Sequence, residues 1–179
     1  MAKLFIAARI KPNDEILQIL KLASKLKYAT TVKPRDLHIT LKFLGEDGDA
    51  QAEQIKKELD SLQGTGAFEI ELQDVSAFPS QDFAKVLWVG LAENEGREKL
   101  ISTARVIEDK IAELGFGEKD WPYAPHMTIG RVKEKPDGRL RTIFTKGSFG
   151  KFEVKEIELI RSKLTPSGPV YKTIHTVIL

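Results

Sequence analysis

Apolar residues change their spacing along this chain in a way that predicts a repeated order of elements. The run Leu4, Phe5, Ile6, Ala7 and Ala8 predicts a strand over Lys3 to Ala8. Beyond Pro12, the positions Ile16, Leu17, Ile19, Leu20, Ala23 and Leu26 recur at the spacing of a helix with one buried face. Leu37, Ile39, Leu41 and Phe43 then alternate with His38, Thr40 and Lys42, the period of two that marks a half-buried strand. A second helix is predicted from about Ala50 to Leu62 on the stripe Ile55, Leu59 and Leu62, stopped by Gly64-Thr65-Gly66. Phe68, Ile70 and Leu72 mark a further strand.

The second half starts the same order again. Val86 to Val89 predicts a strand, a helix follows from about Glu95 to Leu114 and ends at Gly115, and Pro125 opens a strand with Met127 and Ile129 turned inward. Strand, helix, histidine-bearing strand is thus the order in both halves. Afterwards they diverge: a loop through Lys135-Pro136-Asp137-Gly138 precedes strands near Phe152 to Ile160 and Val170 to Ile178.

The repeated strand carries a repeated motif. His38-Ile39-Thr40-Leu41 and His126-Met127-Thr128-Ile129 use two of the chain's 3 histidines. Because i and i+2 share a face of a strand, each imidazole should lie about 7 Å from its threonine hydroxyl, on the side away from the core. Lys42 has the parity of His38 and Thr40 and is expected on the same face as a phosphate contact. Arg131 has the parity of Met127 and Ile129, so it reaches the histidine face only if the strand ends or bulges first. His175 is followed by Thr176 directly, has no Thr two places on, and is read as structural.

Composition narrows the setting. A chain of 179 residues, 41% hydrophobic, is long enough for one compact unit over 1–179 and too short for two ordinary domains. The 0 cysteines exclude disulfides and thiolate chemistry, and fit a reducing compartment. No stretch approaches the ~20 apolar residues of a membrane helix, so a soluble, cytoplasmic protein with no membrane partner is expected. A formal net charge of +2 predicts no strong general affinity for nucleic acid, but leaves room for a local basic patch. Nucleophile-elbow, phosphate-loop and dinucleotide fingerprints are absent. No metal is expected, since two histidines on different strands, with no His-x-x-x-His spacing, fall short of zinc's three or four ligands.

Two imidazoles near pKa 6.5 can divide the work of acid and base at neutral pH. A phosphodiester suits such a pair. One imidazole activates the attacking oxygen, the other protonates the departing one, and the threonine hydroxyls donate to the non-bridging oxygens. Each proton transfer is worth about 10²–10⁴ in rate, with no cofactor required. The near-symmetric motifs do not say which histidine gives the proton.

The paired motifs, within Leu37-His38-Ile39-Thr40-Leu41-Lys42-Phe43-Leu44-Gly45 and Pro125-His126-Met127-Thr128-Ile129-Gly130-Arg131, together with the opening Leu4-Phe5-Ile6-Ala7 and the late Gly168-Pro169-Val170-Tyr171, resemble the two-histidine phosphoesterases. The branch they look most like is the archaeal and bacterial RNA 2′,3′-cyclic phosphodiesterases, long called 2′-5′ RNA ligases. The resemblance covers essentially the whole chain. It implies an α+β fold, bilobal with pseudo-two-fold symmetry, with antiparallel sheets lining a central cleft and helices outside. It also implies hydrolysis of RNA 2′,3′-cyclic phosphate ends to 2′-phosphates, with reversible 2′-5′ ligation as the related activity. His38 would be the proton donor, His126 the acceptor, Thr40 and Thr128 their partners, and Arg131 a phosphate contact. The implied partner is RNA with a cyclic phosphate end, such as tRNA fragments or short oligonucleotides, met by a monomer. Trp121, Tyr123, Phe43 and Tyr171 are candidates for stacking on a base, against the commoner reading of strand aromatics as core. A nucleotide- or RNA-binding regulatory module using the same cleft without turnover is the alternative, and a turnover assay separates the two.

Overall fold

The computed structural model describes residues 2–46, 48–116 and 122–179. Its strands are β1 (Ala2–Arg9), β2 (Ala29–Thr31), β3 (His38–Glu46), β4 (Phe68–Phe78), β5 (Val86–Leu91), β6 (Met127–Val132), β7 (Ser148–Val154), β8 (Glu156–Thr165) and β9 (Gly168–Ile178). Among the described residues three α-helices accompany them: α1 (Asp14–Ser24), α2 (Asp49–Asp60) and α3 (Glu95–Glu113). The predicted elements are present with ends shifted by a few residues. The expected strand near Phe152 to Ile160 is two strands with different neighbours, β7 against β4 and β8 against β1. The three-residue β2 is too short to show a period, and the apolar pattern does not predict it.

All the strands join in one sheet, in the order β7-β4-β5-β6-β3-β1-β8-β9, with β2 on β6 and every pairing antiparallel. The order reads as a palindrome about the β6–β3 junction. On either side stand a motif strand, the strand that opens its half, and two outer strands. This is the pseudo-two-fold arrangement in an α+β fold, with the sheet curled into a half-barrel.

The helices cover one face and build the core. Asn13 caps α1, its side chain accepting from Ile16 N at 3.0 Å while its amide donates to Phe149 O at 2.6 Å, which fastens the helix start to β7. Asn94 caps α3 in the same way, accepting from Arg97 N at 3.1 Å. The first turn of α3 lies so close to β4 that a Cβ on Gly96 would fall 1.9 Å from Glu69 O, so only glycine fits. Ile16, Ile19, Leu20 and Ala23 of α1 and Leu100, Ala104, Ile107 and Ile111 of α3 pack on the inward residues of the sheet. A second, small cluster, Phe5, Ala7 and Ile160 with Tyr171 against it, belongs to the alternate residues of β1, β8 and β9. Phe5 and Tyr171 are the rings that touch His38, so the cluster floors the face opposite the helices.

Candidate active site

The two motif strands meet at their amino-terminal ends, where Ile39 pairs with Met127. Both residues are fully buried, so the flanking His38, Thr40, His126 and Thr128, all half-buried, share the opposite face. Tyr123 strengthens this single-pair junction by donating from its hydroxyl to Thr40 O at 2.8 Å.

Each motif strand bulges at the same place. Ala7 pairs with Thr40 and Ile6 with Lys42, which leaves Leu41 as the extra residue of β3. Trp88 pairs with Thr128 and Leu87 with Gly130, which leaves Ile129 as the extra residue of β6. Past each bulge the parity reverses. In β6 this turns Arg131 outward, exposed, onto the side of His126 and Thr128. The glycine at 130 is needed there, because a Cβ would sit 2.9 Å from Thr30 O of β2.

In β3 the reversal corrects the expectation for Lys42. It lies on the core side, 2% exposed, with its ammonium 2.7 Å from Glu108 of α3, and so is not a cleft residue. Phe43 takes the outward place instead, 63% exposed, with its ring 6.2 Å from Phe5. Of the stacking candidates, Phe43 and Tyr171 are thus on the histidine side. Tyr123 is packed against the core with its hydroxyl committed to Thr40, and burial pushes its pKa up. Trp121 lies outside the described residues.

The two imidazoles are held alike. His38 Nδ1 is 2.7 Å from Asp36 O, and His126 Nδ1 is 2.7 Å from Ala124 O. A carbonyl can only accept, so both Nδ1 atoms carry hydrogen and Nε2 is left as the lone-pair nitrogen of each ring. The carbonyls are placed by the strand entrances: a single 3-10 turn, Pro34–Asp36, before β3, and the buried Pro125 before β6.

Aromatic walls flank both rings. Phe5 and Tyr171 stand 5.0 and 5.6 Å from His38, centroid to centroid; Phe78 and Trp88 stand 5.0 and 6.5 Å from His126. The sequence alone does not single out Phe5, Phe78 and Trp88. The available signal is an aromatic on a strand beside a motif strand, but its face follows only from a pairing register that the letters do not carry.

Electrostatics break the symmetry. Burial lowers the His38 pKa and is the largest influence on it; the bond to the Asp36 carbonyl opposes this, the Arg9 charge adds to the lowering, and Asp36 and Glu158 oppose it. Arg9, cross-strand partner of His38, is fixed by Glu158 at 2.9 Å, by the Arg35 carbonyl at 3.1 Å and by Thr173 at 3.3 Å. A cavity of about 460 Å³ opens beside Tyr171 and is lined by Arg9, Lys33, Arg35 and Asp36. In the other half, Trp88, Gln73, Asp74 and Lys146 line a cavity of about 410 Å³. Among the described residues no three His, Asp or Glu side chains gather as a cation's donor set. His175 is away from the cleft, 2.6 Å from Asp60 of α2.

Two histidines with freed Nε2 atoms, two threonines on their face, and a sheet symmetric about the strands that carry them define a two-histidine phosphoesterase class of fold and site. The chain belongs to the 2′-5′ RNA ligase superfamily, whose family model matches residues 11–165. It is 35% identical over 177 residues to an RNA 2′,3′-cyclic phosphodiesterase of Archaeoglobus fulgidus, covering 97% of this chain and 98% of that protein. A protein of the same name from Methanocaldococcus jannaschii is 35% identical over 179 residues, covering 96% and 98%. Among solved structures, TT0787 of Thermus thermophilus superposes with a TM-score of 0.80 at 26% identity, covering 99% of this chain and 97% of that one. E. coli LigT complexed with 3′-AMP shares the fold at a TM-score of 0.76 and 22% identity, with coverage of 99% and 97%. No described helix is long and apolar enough to cross a membrane.

Proposed function

We propose that this chain hydrolyses the 2′,3′-cyclic phosphate at an RNA end to a 2′-phosphate, by acid–base catalysis without a metal. The supporting observation is the matched pair of Nδ1–carbonyl bonds, which leaves one proton-transfer nitrogen on each side of the junction. The names of the relatives support the substrate.

His126 Nε2 takes a proton from the attacking water as its oxygen bonds to phosphorus. The P–O3′ bond breaks, and His38 Nε2 gives its proton to O3′. The Thr40 and Thr128 hydroxyls and the Arg131 guanidinium donate to the non-bridging oxygens, where charge shifts in the transition state. Each His38 proton spent is matched by one gained at His126, and exchange with water resets the pair. With a 5′-hydroxyl in place of water, the cycle run on the same groups joins two ends through a 2′-5′ bond. Burial favours neutral His38, and a phosphate anion bound beside Nε2 would raise its proton affinity again.

The test is hydrolysis of an oligoribonucleotide ending in 2′,3′-cyclic phosphate, in the presence of chelator, by wild type, His38→Ala and His126→Ala. Wild type should yield the 2′-phosphate, and each variant should lose about 10²–10⁴ in rate. An inert wild type, or a variant within about tenfold of it, overturns the proposal.

A further inference from the structure

The motifs are symmetric but the charge around them is not. On the His38 side, Arg9, Lys33 and Arg35 line the 460 Å³ cavity with Tyr171, and Arg131 is close enough to act electrostatically on the Tyr171 hydroxyl. Two carboxylates answer these four cations: Glu158, 10% exposed at its side chain and bound to Arg9 and Thr173, and Asp36, 4.0 Å from Arg9. Lys33, Arg35 and Arg131 have no carboxylate partner among the described residues, and Lys33 and Arg35 are exposed. On the His126 side the lysine lining the cavity, Lys146, is 3.5 Å from Asp74.

Arg9 is built in rather than loose. Three of its donors are held, by Glu158, Thr173 and the Arg35 carbonyl, and the last bond also fixes the backbone of the segment that carries Lys33 and Arg35. A guanidinium has five N–H donors, so two remain for a ligand. An aromatic ring at the edge of a cationic recess is the combination that holds single-stranded nucleic acid: the charge takes the backbone and the ring takes a base.

We infer that the cavity lined by Arg9, Lys33, Arg35 and Tyr171 is a subsite for the RNA backbone phosphate on the 5′ side of the terminal nucleoside. The inference rests on the proposed function in one respect: the departing O3′ belongs to that nucleoside, so the proton donor and the body of the RNA share the His38 side. Water, or an incoming 5′-hydroxyl, then enters from the His126 side. The subsite makes the protein select oligonucleotide ends over a free cyclic nucleotide, which has no such phosphate.

The experiment compares uridine 2′,3′-cyclic phosphate with a uridine trinucleotide ending in the same group, for wild type and for Lys33→Gln with Arg35→Gln. Wild type should favour the trinucleotide in kcat/KM by about tenfold, and the double variant should lose that ratio. Binding of the trinucleotide 2′-phosphate, against uridine 2′-phosphate, is followed by calorimetry across salt concentrations. The variant's log–log salt slope should be shallower by about 0.7 for each phosphate that the two side chains neutralise in wild type. An unchanged ratio, or an unchanged trinucleotide affinity and salt slope, overturns the subsite. Wild type inert on both substrates overturns the proposed reaction instead, and the binding measurement still decides the subsite.

Discussion

Ile39 of β3 lies directly opposite Met127 of β6, the one residue pair among the described residues that joins the two halves of the sheet through their motif strands. Antiparallel register carried one step either way sets His38 across from Thr128 and Thr40 across from His126. Each imidazole therefore has the hydroxyl of the other half as its cross-strand neighbour. In the proposed reaction a phosphate seated over the junction would be approached by groups from both halves, which neither half could offer alone.

If the threonines donate to oxygens that gain charge in the transition state, their loss should fall on kcat. Thr40→Val and Thr128→Val keep the branched shape and remove the hydroxyl, and each should lower kcat about 10²–10³ with KM changed only a few-fold. In double-variant cycles, Thr128→Val should couple to His38→Ala by more than to His126→Ala, because the first pair are cross-strand neighbours. Steady-state kinetics of the single and double variants decides this. An effect on KM alone would make the threonines ground-state contacts.

Lys42 and Glu108 give a stability prediction. Their side chains are 1% and 9% exposed and 2.7 Å apart, so Lys42→Ala strands a carboxylate in the core beneath the motif strand. The cost should be about 3–5 kcal/mol in urea unfolding, whereas Lys42→Met with Glu108→Leu should come within about 2 kcal/mol of wild type. A single variant that unfolds like wild type would show that the pair contributes little and that water reaches Glu108.

This pair also marks the limit of what the sequence discloses. Period-two alternation places His38, Thr40, His126 and Thr128 on their strands, because the residues beside them are aliphatic and the motif repeats. The β3 bulge leaves no trace in that alternation. Leu41 and Phe43 are both apolar, so the letters continue the period after the backbone has reversed it, and Lys42 reads as a solvent residue until Glu108 of α3 is seen beneath it. In β6, Gly130 beside Arg131 is a hint, but the close approach of Thr30 that requires glycine belongs to a strand of three residues. The aromatic walls are hidden for a related reason. Phe5, Trp88, Phe78 and Tyr171 come from four different strands, and only the sheet order brings them in pairs to the two histidines.

The His38 environment predicts a pH dependence of stability. Its folded pKa is below the ordinary value, so the unfolded chain binds the proton first on acidification. Stability associated with this group is fully present above about pH 6.5 and is lost as pH falls from there through the folded pKa. Urea unfolding of wild type and His38→Gln at a series of pH values should show a smaller decline for the variant across that window. Equal declines would mean that His38 titrates alike in the folded and unfolded chain.

The direction of proton flow has its own test, through the leaving group. An oxygen leaving from C3′ needs a proton, but a sulfur in its place leaves as thiolate, since thiols have pKa values near 8.5 where alcohols are far weaker acids. A 3′-thio cyclic phosphate should therefore restore turnover to the variant that lacks the donor and give nothing to the variant that lacks the acceptor, which still has to activate water. With His38 as donor, the loss of about 10²–10⁴ in His38→Ala should shrink to within about tenfold on the sulfur substrate, while His126→Ala stays impaired on both. Rescue of His126→Ala in place of His38→Ala would reverse the two roles. It would also move the RNA body to the Trp88 side of the cleft, away from Lys33 and Arg35, so the thio substrate and the trinucleotide ratio check the same orientation from opposite ends.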